Sequence, residues 1–449
     1  MKYQQPYGIS DPNAPYINGN PSTGTMGSIP PAASIEHPQR EIVGVISNAG
    51  LTPADTDLGQ LAKAIQSGKL IYSDDTGTVN AIQLTPSPAV TALTKGMVFV
   101  TKAAVTNTGP TTVKVSALPP VPAVHASDQT PLNALDINAN AMLAFAYDGA
   151  NMQLVWSSRQ PGSPVFLTGD RNFYVNGVTG LDTYDGTTAT VTGGHGPFKT
   201  LQKAADQVPQ YNLNGHDIYV NVADATYASV THRKINGSGR VIWIGNTALP
   251  VNCLCSGSNK SAMILNDLGG EVQVTGFKLE ASGSGGGDAI CGINAYGATT
   301  ALRLGNIEFG NCVGAQMSIQ KDALVTNLAG GDTWKISGSC FGNQYEPGCF
   351  LFCYVGGTFI NASAGGPNIT IPVAVAYGGY GGVPGSFVHS VSNSFVQLVY
   401  ASMTGAGVAG VTGKRYTADY NSAISTGAGG ASYYPGNQPG TAVNGGYYT

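Results

Sequence analysis

Seven carboxylates in the second half of this 449-residue chain, Asp267, Glu271, Glu280, Asp288, Glu308, Asp322 and Asp332, have the side chains best able to do chemistry. Two carboxyls about 5–9.5 Å apart, one donating a proton and the other acting as nucleophile or base, are what cleavage of a glycosidic bond requires. In a repeating structure the simplest way to build such a pair is to place two of them in one column on adjacent turns. The repeat described below brings no two of them together in that way. Glu308 instead falls opposite Lys278, which suits an ion pair better than a proton donor. Asp288 follows the run GSGSGGG, a loop able to line a groove. The reading leans against an enzyme; a pair assembled in a groove between copies of the chain is the remaining route.

Other chemistry is weaker still. DTYDG, residues 182–186, matches a fragment of a calcium loop but lacks the further ligands and the distal glutamate, so it reads as a turn. His195, His216 and His232 have no metal-ligand spacing, and no serine sits in a nucleophile elbow, so neither metal nor cofactor is expected. The seven cysteines lie between Cys253 and Cys353 without a CxxC, and their odd number argues against a closed disulfide set within one chain. Buried free thiols are the simplest reading, with disulfides within or between chains as the alternative. More suggestive are Tyr377, Tyr380, Tyr433, Tyr434, Tyr447 and Tyr448, interleaved with glycine and proline. Tyrosine offers a flat apolar face with a hydroxyl at small entropy cost, which suits sugar rings. These six are the expected receptor-binding residues; the alternative is that they fill the axis of a trimeric tip.

The elements that carry these residues follow from composition and periodicity. With 21 Lys and Arg against 25 Asp and Glu, and a net charge of −4, the chain has no electrostatic footprint for nucleic acid. No apolar run is long enough for a membrane helix, and the N-terminus has no apolar core of a Sec signal. The 62 glycines suit an all-β structure with many tight turns. Seven prolines in residues 1–40 predict an extended arm, ordered only against a partner, with Tyr3, Tyr7, Tyr16, Ile17 and Ile29 as apolar anchors. Residues 41–71 predict a helical hairpin: Thr52 is the N-cap, Pro53 the first helical residue, and Gly68 the C′ residue, with Leu58, Leu61, Ala62 and Ile65 on one face. Three copies around an axis would bury that face. Period-two alternation over 72–160 predicts a small β-sandwich, with a hairpin turn near Asp148-Gly149 and with His125, Asp128 and Asp136 scattered on surface turns.

From Val241 four segments align: IWIGNTAL from Ile242, VQVTGFKL from Val272, LRLGNIEF from Leu302 and WKISGSCF from Trp334, with starts 30, 30 and 32 residues apart. Such a period means stacked units, and short strands with Gly/Asn corners predict a right-handed parallel β-helix over 164–345. Its outward columns read Trp243, Gln273, Arg303, Lys335 and Ala248, Lys278, Glu308, Cys340. An open coil exposes unpaired backbone at its end, and 197–208, with Phe198, Leu201, Ala205 and Val208 on one face, is the expected lid. The segment 346–449 reads as a β-rich, Gly/Tyr-rich distal domain.

Three stretches carry a resemblance. DPNAPYINGNP through AGLTPADTDLGQLAKAI resembles the virion-attachment region of tail-fibre and tailspike proteins of tailed bacteriophages. The module 79–156 is similar to small β-domains repeated in tail fibres, and FYVNGVTGLDTYDGTT with GPFKTLQKAAD resembles the start of pectate-lyase-like β-helices. The resemblance implies a homotrimer made in the host cytoplasm and carried on the virion tail. Its N-terminus (Tyr7, Tyr16, Ile17, Ile29) would attach to a tail or baseplate protein, and its coil and distal domain would bind host surface polysaccharide or lipopolysaccharide. No nucleic acid, membrane insertion, metal or cofactor is implied. The alternatives are a polysaccharide depolymerase, hydrolase or lyase, and a purely structural baseplate component.

Overall fold

Proline density keeps the start of the chain out of regular structure, yet the arm doubles back on itself. Asn20 and Thr25 form an antiparallel bridge, the Ser28 N–H donates to the Ile17 carbonyl, and the Tyr7 N–H donates to the Ile29 carbonyl. Tyr3 meets Tyr16 edge-on at 6.3 Å. These details come from a computed structural model that describes residues 2–158, 164–284, 290–329, 331–343, 346–361, 365–379 and 384–449. The chain falls into two units, Met1–Ser163 and Pro164–Thr449.

In the first unit the arm ends earlier than proline counting implies, because α1 runs from Ala32 to Asn48. Pro31 sits at its N-cap, where a proline costs no helical hydrogen bond, and Pro38 is tolerated within it. The second helix, α2, spans Gln60–Gln66 and starts well after Thr52. The Gln60 amide explains the delay: it donates to the Thr52 carbonyl and accepts from the Ala54 N–H, holding that stretch as a loop. Gly68 has φ 65°, as a C′ residue should. Ala64 packs on Ile46 and Ala49, while Leu58, Leu61 and Ile65 stay exposed.

In the β-domain six strands pair in the order 81–84, 112–115, 121–125, 152–157, 142–147, 98–102, with Val121 and Pro122 on the 112–115 strand and Ala123–His125 on the 152–157 strand. Alternation reveals which side chains face in, here Ile82, Val113, Phe145 and Met152 among others. It does not reveal which strands pair, and two of these pairings are parallel. The hairpin turn at Asp148-Gly149 is as expected, with Asp148 Oδ1 accepting from the Ala150 and Asn151 N–H groups.

Among the described residues of the second unit every strand pair is parallel, and the chain visits three sheets in cyclic order. This arrangement is compatible with a parallel β-helix. One turn runs Gly270–Thr275 in the first sheet, Lys278–Ser282 in the second and Ile293–Tyr296 in the third, then re-enters the first at Thr300–Gly305. The first sheet has ten strands, from Arg171–Val175 to Tyr447–Tyr448. The coil therefore does not stop at residue 345, and the segment read as a distal domain continues the same three sheets. Inside, Val241, Val272, Leu302, Val325, Phe359, Val396 and Ile424 stack on successive turns.

This register corrects the repeat in two places. Val272 and Leu302 do stack, but Val241 rather than Ile242 occupies their column, so Trp243 points into the core. WKISGSCF lies in the second sheet, with Trp334 beside Ile307 and Lys335 beside Glu308; the first-sheet strand at that level is Leu324–Asn327. Cys340 leaves the Glu308 column and pairs with Cys312. Inward-outward alternation is the same on all three sheets, so it marks a strand without saying which sheet the strand joins.

The constant element is the corner from the third sheet to the first. Six successive connections, from Asn266–Gly270 to Asp419–Ala423, each contain three residues. Their backbone enters the left-handed region at Asp267, Gly297, Lys321, Asp322, Val355, Gly356, Ser392, Asn393, Tyr420 and Asn421. Each corner donates an N–H to the next turn: Asp267 to Tyr296, Lys321 to Tyr354, Gly356 to Ser392, Asn393 to Tyr420.

The lid closes the near end as expected. α3, Leu201–Gln207, buries Leu201, Ala204 and Ala205 beneath the first turn, with Phe198 and Val208. The Thr200 hydroxyl caps it, and Asp182 of DTYDG accepts from the Lys199 and Thr200 N–H groups. Gln202 does the edge pairing: its amide donates to the Thr231 carbonyl and accepts from the Thr231 N–H, completing the third sheet's open edge. Gln202→Ala should therefore lower stability by about 1–2 kcal/mol, read from urea unfolding. At the corner, Val355 pays for a left-handed φ of 49°, so Val355→Gly should raise stability by about 1 kcal/mol. Gly356→Ala should lower it, since a Cβ there meets the Asp322 carboxyl.

Candidate functional site on the outside of the coil

Outward positions of the second sheet form the column Leu254, Lys278, Glu308, Lys335, Thr370. Glu308 is only 3% exposed. Lys335 Nζ lies 3.0 Å from its Oε2, Ser337 Oγ donates to its Oε1 at 2.6 Å, and Lys278 Nζ is 3.9 Å from Oε1. Lys278 also reaches Glu280 Oε1 at 2.7 Å. Both carboxyls are thus tied to the one lysine between them. This is an ion-pair ladder. Beside it a groove of about 240 Å³ has an apolar wall, Leu249, Pro250 and Val251, facing Asn306, Glu308, Thr333 and Lys335. An apolar wall opposite a few polar groups is the usual make-up of a small-ligand site.

The other carboxylates are spread out. Glu271 pairs with Arg303 at 3.1 Å, Asp267 and Asp322 occupy left-handed corners, and Asp332 accepts from the Ala329 N–H. Burial raises the pKa of Asp332. Asp288 lies outside the described residues. A carboxyl with no obvious sequence signal is Glu346, fully enclosed on the outer side of the third sheet. It accepts from Cys291 Sγ at 2.7 Å, Ser318 Oγ at 2.6 Å and Gln320 Nε2 at 2.7 Å. Burial raises its pKa, against the pull of these donors.

The tyrosine expectation needs correction. Tyr377 and Tyr434 are buried, against Phe387. Tyr448 lies flat on Tyr416 at 3.6 Å, and Tyr433 is half-buried with its hydroxyl on Ala401. Only Tyr447 is largely exposed, and Tyr380 lies outside the described residues. The glycine interleaving has a packing cause: a Cβ at Gly429 would strike the Tyr433 ring, and one at Gly440 the Tyr416 ring. Glycines here make room for rings inside the chain. In the arm, Tyr7, Tyr16, Ile17 and Ile29 are all exposed.

Histidines and cysteines are structural in placement. His125 and Asp136, expected to be scattered, meet at 2.9 Å in the β-domain. His195 pairs with Asp185, and His216 lies 3.7 Å from Asp170. No group of metal-holding residues exists among the described residues. All seven cysteines are buried and free. Burial pushes the Cys253 thiol up to about 12 and moves Cys255, Cys349 and Cys353 in the same direction. No protein-family model matches the chain, and no curated protein or solved structure is significantly similar to it.

Two buried histidines give the coil an acid sensitivity. His232 stands edge-on to Trp243 at 5.0 Å and His389 to Phe352 at 5.5 Å. Burial pushes their pKa values down to about 3 and about 4. The fold keeps both neutral while the unfolded chain protonates near 6.5, so their contribution is full above pH 6.5 and lost as pH falls toward the folded values. Each should add a slope of up to about 1.4 kcal/mol per pH unit in that window. Urea unfolding of His389→Gln between pH 4 and 6.5 should show a shallower pH slope than the parent protein.

Proposed function

We propose that the chain is a tail fibre or tailspike subunit of a tailed bacteriophage, attached to the virion through its arm and binding host surface glycan along its coil. The observation that carries this reading is the set of long all-parallel sheets between Arg171 and Tyr448, compatible with a β-helical shaft that bears ordered columns of outward side chains. Repeat shafts of this kind present extended binding surfaces rather than one deep cleft. The arm supports attachment: Tyr7, Ile17 and Ile29 are more than half exposed, a display that a tail or baseplate partner would cover. The helical hairpin supports a homotrimer, since Leu58 is 98% and Ile65 66% exposed on a face that other copies would bury. Such a protein acts outside the host cell as part of the virion.

One observation favours polysaccharide cleavage as the second reading: Glu280 and Glu308 are neighbouring carboxyls on one face, both in reach of Lys278. The lysine between them favours binding. Purified protein should have the mass of a trimer, retain host surface glycan, and release no new reducing ends or unsaturated sugars. New ends that disappear in Glu308→Gln would establish the enzyme instead. Deleting residues 2–30 should abolish incorporation into virions; particles that still carry the shortened chain would overturn the attachment role.

A further inference from the structure

The outer side of the third sheet carries two neighbouring columns with properties that folding alone does not explain. One reads Tyr296, Gln320, Tyr354, Val391, Asp419; the other reads Asn294, Ser318, Phe352, His389, Thr417. Tyr354 lies parallel to Phe352 (5.9 Å, 10°), and Phe352 stands edge-on to His389. The Tyr354 ring is thus braced on its inner side while the residue stays 41% exposed. Two turns back in the same column, Tyr296 takes a hydrogen bond from Asn266 Nδ2 and has the Lys321 ammonium 5.0 Å from its ring centre. Two turns forward and one residue across lies Tyr420, 58% exposed. Tyr296 and Tyr354 are therefore about 9.6 Å apart along the axis.

Three facts point to a ligand. Tyr420 holds a left-handed φ of 48° at the first corner position, which other turns fill with Asp267, Gly297, Lys321, Val355 or Ser392, so it is the one described turn that places an aromatic ring at this strained position. Beside the rings, Asn294 Oδ1, His389 Nδ1 and Thr417 Oγ1 are buried without any hydrogen-bond partner, on positions that face outward. Along the strip's edges Lys321 and Lys414 offset Asp322 and Asp419, and a further carboxyl beside these columns, Glu346, is enclosed among Cys291, Ser318 and Gln320. Regularly spaced ring faces with unused polar atoms and no excess of exposed charge match a chain of neutral sugars, whose C–H faces stack on aromatics and whose hydroxyls take hydrogen bonds.

We propose that Tyr296, Tyr354 and Tyr420 form a linear binding strip for an extended neutral polysaccharide lying along the coil axis. This rests on the glycan-binding reading above and locates it on the third sheet. The test uses the full-length protein on an array of purified neutral and acidic bacterial O-polysaccharides and capsular polysaccharides, with affinities of hits measured by affinity electrophoresis. Tyr354→Ala and Tyr420→Ala should each weaken binding of a neutral hit roughly three- to tenfold. Melting of the Tyr354→Ala variant should be unchanged. Tyr400→Ala, at an exposed left-handed tyrosine between the first and second sheets, should leave affinity unaltered. Undiminished binding by the double variant overturns the strip and leaves the glycan reading standing. Hits confined to acidic polysaccharides overturn the neutral-ligand assignment. No hit for the parent protein overturns both readings. A changed oligomer mass in the double variant would assign the strip to contacts between copies instead.

Discussion

On six successive turns the chain leaves the third sheet and re-enters the first within three residues, through a left-handed conformation, while handing an N–H to the turn above. The other connections do not share this limit: between the second and third sheets the chain takes ten residues after Ser282 and twelve after Ile336. Because this corner keeps one length over those six turns, the sheets on both sides of it stay in register there while other connections vary. The columns of side chains inside and outside the coil inherit that register. The cost falls on residues that avoid positive φ, and glycine or asparagine relieves it at most corners.

Parallel stacking leaves an open edge before the first turn, and aromatic packing fills the core around the last strands. At the near end α3 covers the core while Gln202 imitates a strand residue for Thr231. A side-chain amide has one donor and one acceptor, the same pair that a neighbouring strand would offer. Around the last strand Tyr448 lies flat on Tyr416 and meets Tyr434 edge-on. Apolar surface is covered there, and the tyrosine hydroxyls find backbone carbonyls at Leu398 and Gly430.

The outer faces then divide by chemistry. The second sheet carries a charge ladder whose members satisfy one another, with Glu308 held between Lys278 and Lys335. The third sheet carries rings and amides, several of whose polar atoms have no partner. A self-satisfied ladder chiefly maintains register, whereas an unsatisfied polar column beside exposed rings is the better place for a ligand.

Alternation, glycine content and the thirty-residue spacing were enough to read a parallel coil with a helical lid, because inward periodicity and end-capping are local properties of the chain. Phe198, Leu201, Ala205 and Val208 are all buried in that lid. The opposition of Lys278 and Glu308 was legible too. Sheet membership was not: Trp334 alternates like a first-sheet residue yet belongs to the second, since the connections between sheets vary in length. The tyrosines misled for a related reason. Interleaved glycine looks like a flexible display loop in one dimension, and only packing reveals that the missing Cβ atoms accommodate buried rings. Likewise the strip of Tyr296, Tyr354 and Tyr420 is separated by 58 and 66 residues along the chain. It exists only because parallel stacking brings every second turn into line, a relation that no local pattern records.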